Sequence, residues 1–167
     1  MNRKKFIKLS ALSAASFPLF LSASKSELDE KSQLDLKLIE EFVIAGHNDL
    51  PKVKEMLRSE PQLLYARHDW DNGDLEEAIE GAAHVGNKEI VNYLIEQGAR
   101  INLFSLVIIG KTEIVSSILD LYPSLINTKG PHGFTLLHHT RILGNEGKSF
   151  EEYLIKKGLN QSKIPIN

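Results

Sequence analysis

His132, His138 and His139 are the residues whose types and clustering could hold a metal ion or move a proton, since imidazole is both a ligand and a base near neutral pH. Their spacing argues against a shared ion. His138 and His139 are consecutive, so on a helix their side chains diverge by ~100°. The helical pair H-x-x-x-H is missing, no acidic partner has ligand spacing, and the chain contains no cysteine. No metal and no cofactor are therefore expected. The alternative reading is a small-ligand or metal sensor built on the region of His132, His138 and His139.

A second cluster, Asp69, Asp71 and Asn72-Gly73, has the composition of a calcium loop but not its register. Counting from Asp69 as position one, Glu80 falls at twelve, but Gly73 falls at five, where a ligand is required, instead of six. Nucleophile patterns are missing as well. The mature chain has no G-x-S-x-G, no S-x-x-K, no glycine-rich phosphate loop and no carboxylate pair flanked as catalytic residues would be. The chain is expected not to be an enzyme.

The elements that carry these residues are helix pairs. Gly81 to Phe104 is read as helix, tight turn at Val85-Gly86-Asn87, second helix, then an extended exit. Ile90, Val91, Leu94 and Ile95 form one apolar stripe, and Gly98 ends the second helix. Such a hairpin exposes apolar surface on both sides and needs neighbours of its own kind. Gly110 to Leu119 repeats Gly86 to Ile95 position by position. Gly133 to Gly144 supplies another first helix, followed by Phe150, Leu154 and Ile155. Ile39, Phe42 and Val43 precede Gly46, and Val53, Met56 and Leu57 follow it. The turn glycines are placed at 46, 86, 110 and 144. Pro61-x-Leu63-Leu64 is echoed by Pro123-x-Leu125-Ile126.

On these residues the chain resembles the ankyrin-repeat family, whose repeat is a β-turn finger followed by a helix pair. Gly133, Thr135, Leu137, His138 and Gly144 match the family's first-helix signature, with Leu136 in place of its proline. Ala82, Ala83, Gly86, Ile90, Val91, Leu94, Gly98, Ala99 and Asn102 match in the second unit. The resemblance covers roughly residues 36 to 160 and implies an all-α, ankyrin-like solenoid of about four helix-turn-helix repeats. Gly98 to Gly110 is too short for a finger, so the third unit is expected to have a truncated turn. At His138 the resemblance implies a structural imidazole. Glu77 and Glu80 stand where the family usually has Thr and His.

The resemblance further implies a binding surface on fingers and first helices. Its contact residues are expected to be Trp70, Asp71, Asp74, Glu77 and Phe104, then His132, Phe134 and His139. Trp70, the single tryptophan, has two readings, as packing over the adjacent helix pair or as an exposed contact. The expected function is a non-enzymatic protein–protein interaction module that binds a protein partner through its finger turns and concave helix face.

The N-terminus reads as an address. Met1 to Ser24 has a basic start, a moderately apolar run from Leu9 to Leu21 and small residues before a cleavage point, the layout of a signal peptide. Arg3-Lys4-Lys5-Phe6-Ile7-Lys8 resembles the twin-arginine export signal, with Lys4 in place of its second arginine, so both that route and Sec stay open. The expected organisation is a signal peptide over 1–24, a linker over 25–33, the repeat domain over 34–160 and a C-terminal tail over 161–167. A periplasmic or secreted protein follows, with no stable membrane anchor after cleavage. The whole chain carries 20 basic and 22 acidic side chains; without the leader's four basic residues it carries 16 and 22, a net charge of −6. That acidic body argues against nucleic acid as a partner.

Overall fold

The computed structural model describes residues 33–166. The expected signal peptide and all but the last residue of the expected linker lie outside the described residues. Within them the chain is predominantly helical, with one small hairpin as its only named sheet.

Helix α1 (Leu36–Asn48) and α2 (Leu50–Ser59) form the first pair, and a 3-10 turn at Pro61–Tyr65 leads out of it. The hairpin β1 (His68–Asp69) and β2 (Leu75–Glu76) follows, pairing His68 with Glu76 and Asp69 with Leu75. The second pair is α3 (Ala78–His84) and α4 (Lys88–Glu96), and the third is α5 (Leu103–Ile108) and α6 (Thr112–Leu121). A second 3-10 turn at Pro123–Asn127 repeats the Pro-x-Leu echo in the backbone. The last pair is α7 (Leu136–Ile142) and α8 (Lys148–Lys156), joined by a 3-10 turn at Gly144–Gly147.

Local chemistry sets these boundaries. Asp49 and Asn87 each accept a hydrogen bond from the third backbone N–H of the helix that follows. Asn102 and Ser105 cap α5 reciprocally, Asn102 Oδ1 accepting from Ser105 N and Ser105 Oγ from Asn102 N. Gly86, Gly110 and Gly144 leave their first helices at φ 79°, 75° and 57°, a region that favours glycine. Gly46 departs from the expected ladder. It lies inside α1, and the break falls at Asp49 instead. A Cβ at Gly46 would sit 2.7–2.8 Å from the backbone and Cβ of Ala78, so this glycine lets α1 and α3 approach closely.

First helices pack on first helices, α1 on α3, α3 on α5 and α5 on α7, while each second helix packs on its own partner. One continuous apolar core runs through all four pairs, with Phe42, Leu63, Ile79, Ile90, Leu94, Ile108, Leu119, Leu136 and Leu154 almost wholly buried. No hairpin precedes α5; Ala99 to Asn102 runs straight from α4 into it. The turn before α7, with a 3-10 segment at Pro131–Gly133, therefore comes to lie beside the β1–β2 hairpin of the second unit.

The chain's end is tied down. Ser162 O accepts from Thr135 N, Gln161 O accepts from the Thr135 hydroxyl, and Gly133 O accepts from Ile164 N, so residues 161–164 run antiparallel to the last turn. Gly133 sits at φ 75°, and a Cβ there would run into the carbonyl oxygen of Ile164. Replacing Gly133 by Ala is expected to cost roughly 2 kcal/mol or more, from positive-φ strain and overpacking together. Urea unfolding checks this, with a lower midpoint expected at unchanged slope and an unchanged midpoint contradicting it.

Candidate functional site

The β1–β2 hairpin is built to deliver one carboxylate inward. Asp69 Oδ1 accepts from Asp71 N at 3.0 Å and from Gly73 N at 3.1 Å, closing the loop, and Asn72 and Gly73 take left-handed φ values of 56° and 82°. Strand alternation then points Leu75 outward and Glu76 inward. Glu76 is fully buried.

Three imidazoles and one indole surround it. Trp70 Nε1 donates to Glu76 Oε2 at 2.7 Å. His47 Nε2 and His132 Nε2 lie 3.8 and 3.7 Å from the same oxygen, and His84 Nδ1 lies 3.0 Å from Oε1. That last contact is off hydrogen-bond geometry, so Glu76 Oε1 and His84 Nδ1 are both buried without a partner. His47 and His84 come from the last turns of α1 and α3, which stack and bring the rings to 4.7 Å. Their orientation is fixed from behind. His47 Nδ1 donates to Val43 O at 2.9 Å. His132, itself at φ 57°, is clamped twice by Asp74, whose carboxylate accepts from His132 N at 2.7 Å and from Nδ1 at 2.8 Å. The Asp74–His132 pair thus joins the second unit's hairpin to the fourth unit's turn.

Above the cluster lies an open groove of about 790 Å³, lined by Glu41, Ile44 and Lys52 on one side and by His47, Trp70 and His132 at its floor. Three of the residues that ring Glu76 are therefore reachable from solvent.

A neighbouring ionic knot serves structure. Arg67 reaches Glu77 at 3.2 Å and Glu80 at 3.3 Å, and Arg100 also reaches Glu77 at 3.2 Å. Glu80 Oε2 accepts from Glu77 N at 2.9 Å, which supplies at the start of α3 the local hydrogen bond that Thr and His would otherwise make. Burial pushes the Glu80 carboxyl up; the Glu77 N–H and the Arg67 charge pull against it.

The expected contact residues divide. Trp70 and His132 stand half-exposed on the groove, Asp71 is exposed at the hairpin tip and Asp74 holds His132. Trp70 both packs, with the His68 ring edge-on at 4.4 Å, and lines the groove. Glu77 is buried against its arginines, and Phe104 and His139 are buried and stacked on one another at 4.7 Å. Phe104 and His139 are buried because first helices turn that face toward the next first helix, and Glu77, just ahead of α3, is covered by Arg67 and Arg100. Phe134 is half-buried and stacks on His138 at 3.8 Å. The histidines of the last unit do not converge. His138 Nε2 donates to His84 O at 2.9 Å, and His139 Nδ1 donates to Thr135 O at 2.8 Å.

Among the described residues, the one group of three ligand-type side chains with mutually close donor atoms is His47, Glu76 and His84. Linear spacing misses it because the three come from α1, β2 and α3. The signal that could have found it is a histidine at the end of two successive first helices, which stacking makes neighbours. Neither the family models nor the curated proteins with which this chain was compared match it.

Proposed function

We propose that this chain is a non-enzymatic protein-interaction module of the ankyrin-repeat type, exported to the periplasm or secreted, which receives a protein partner in the groove beside α1. The observation that carries the reading is the groove itself. It joins an exposed helix face, the β1–β2 hairpin and the turn before α7 into one concavity, the arrangement in which stacked helix pairs with projecting turns bind partners. Ile44, half exposed on that face, gives an apolar contact, and Glu41 and Lys52 give charged ones at its rim. Support for the ankyrin type comes from the repeated helix pairs, the glycine exits at 86, 110 and 144 and the Thr135–His138 signature. Support for export comes from the basic, apolar and small-residue layout of the first 24 residues. Nothing in the groove pairs an activated nucleophile with a base, so binding is the better reading than turnover.

The test is a comparative pull-down from extract of the cells that make the protein, using the native chain and a variant carrying Ile44→Glu and Lys52→Glu. Both positions are on the surface, so the variant is expected to keep the native circular dichroism. A partner retained by the native chain and depleted tenfold or more on the variant is the expected result. A partner held equally by both, or none held by the native chain, contradicts the proposal.

A further inference from the structure

We propose that His47, Glu76 and His84 form a binding site for a divalent transition-metal cation of the zinc class, with His132 facing the remaining position from the groove side. The inference goes beyond the partner-binding role and does not rest on it.

Three observations converge. First, the carboxylate of Glu76 is wholly buried, yet it accepts one hydrogen bond, from Trp70, and neither a lysine nor an arginine pairs with it among the described residues. A buried carboxylate in that state lacks a compensating lysine or arginine charge. Second, the imidazoles present lone pairs to it. Because His47 Nδ1 donates to Val43 O and His132 Nδ1 donates to Asp74, the Nε2 of each neutral ring is an acceptor, and both face an acceptor oxygen. Acceptors gathered on one point call for a cation between them. A ligating histidine whose other nitrogen donates to a carbonyl or carboxylate is the usual outer support of a metal site. Third, two atoms of the cluster, Glu76 Oε1 and His84 Nδ1, are buried without a hydrogen-bond partner although they lie 3.0 Å apart.

The distances fit. One donor atom from each of His47, Glu76 and His84 lies within 4.8 Å of the others, so some point lies within about 2.8 Å of all three, and shifts on the order of 0.7 Å bring them to zinc-ligand distance. Two nitrogens and one carboxylate oxygen suit zinc, cobalt, nickel or copper, and suit the oxygen-seeking magnesium and calcium poorly. The His47 side chain is 21% exposed and the Glu76 side chain 0%, which leaves an entry path from the groove to a buried site.

Trp70 supplies the readout, being the single tryptophan and hydrogen-bonded to the proposed ligand. The full chain, stripped with chelator, is titrated with Co²⁺ and with Zn²⁺ while Trp70 emission, the cobalt visible spectrum and the melting temperature are followed. The expected result is one equivalent bound, quenching of Trp70 by Co²⁺, displacement of Co²⁺ by Zn²⁺, and a rise in Tm of roughly 5–10 °C at a hundredfold excess over Kd. Glu76→Gln, which keeps an acceptor for Trp70, and His47→Asn, at the groove's edge, are each expected to weaken binding at least tenfold. His47→Asn keeps the test open if Glu76→Gln fails to fold. No binding by the folded native chain overturns the proposal, and so does binding that both folded variants retain undiminished.

Discussion

Lowering the pH from 7 to 3 is expected to remove about 3–5 kcal/mol of stability through one histidine, His139. Its ring is buried between α5 and α7, Nδ1 donates to Thr135 O and Nε2 has no partner. Burial pulls its pKa down from the ordinary 6.5 to about 3; the hydrogen bond to Thr135 opposes this, and the neighbouring His138 and His84 add to it. Between those two values the unfolded chain holds a proton that the folded chain does not. Stability is therefore fully present above pH 6.5 and falls as the pH drops toward 3, at up to 1.36 kcal/mol per pH unit. His138, also pulled down by burial, adds loss of the same sign. Glu80 acts oppositely, because its raised pKa makes the folded chain the better proton acceptor in the mildly acidic range. Urea unfolding of the native chain and of His139→Phe across pH 3 to 7 separates the contribution. The variant keeps an aromatic ring on Phe104 and is expected to show a much flatter acid limb. Equal pH dependence in the two chains contradicts the assignment.

Replacing Phe104 by Ala is expected to cost about 3–5 kcal/mol. Phe104 is 5% exposed, stacks on His139 at 4.7 Å, and its ring edge lies where a Cβ on Gly130 would come within 3.0 Å. It therefore fills the corner between α5, α7 and the turn that carries His132. A cavity there loosens three elements together. A double-mutant cycle with His139→Ala is expected to give a coupling of about 0.5–1.5 kcal/mol, the worth of a stacked aromatic pair beyond its buried area. A loss below about 1 kcal/mol on Phe104→Ala would mean that the corner is not packed as described. Because the corner holds His132 in register with Asp74, the same variant is also expected to disturb the groove.

How much of this was legible in the sequence follows from the range of each interaction. Helix pairs, their apolar stripes and the exits at Gly86, Gly110 and Gly144 are local, and their residues declare them within a few positions. Gly46 misleads because a glycine needed for a close helix crossing and one needed for a left-handed exit look alike in a string of letters. What separates them is Ala78, on another helix. The missing hairpin before α5 is readable from length alone. The side-chain partners are not. Trp70 and His132 are expected on the surface and do reach it, yet Glu76, which they surround, is not among the expected residues, since nothing in its own stretch of sequence separates a buried acid from a solvated one. Glu77 drew attention for its unusual identity, and the structure gives it two arginines, Arg67 and Arg100, from segments on either side of α3. Phe104 and His139 are expected on the binding face because the resemblance places contacts on first helices. First helices pack on first helices throughout the stack, so α5 and α7 close over both rings.

The claim that a partner lies in the groove beside α1 is tested most directly by placing a photo-crosslinking residue at Ile44 and, separately, at Glu152 on the exposed face of α8. After irradiation in the cells that make the protein, one discrete crosslinked protein from position 44 and none from position 152 is the result predicted. The same adducts from both positions, or adducts from position 152 alone, would contradict it.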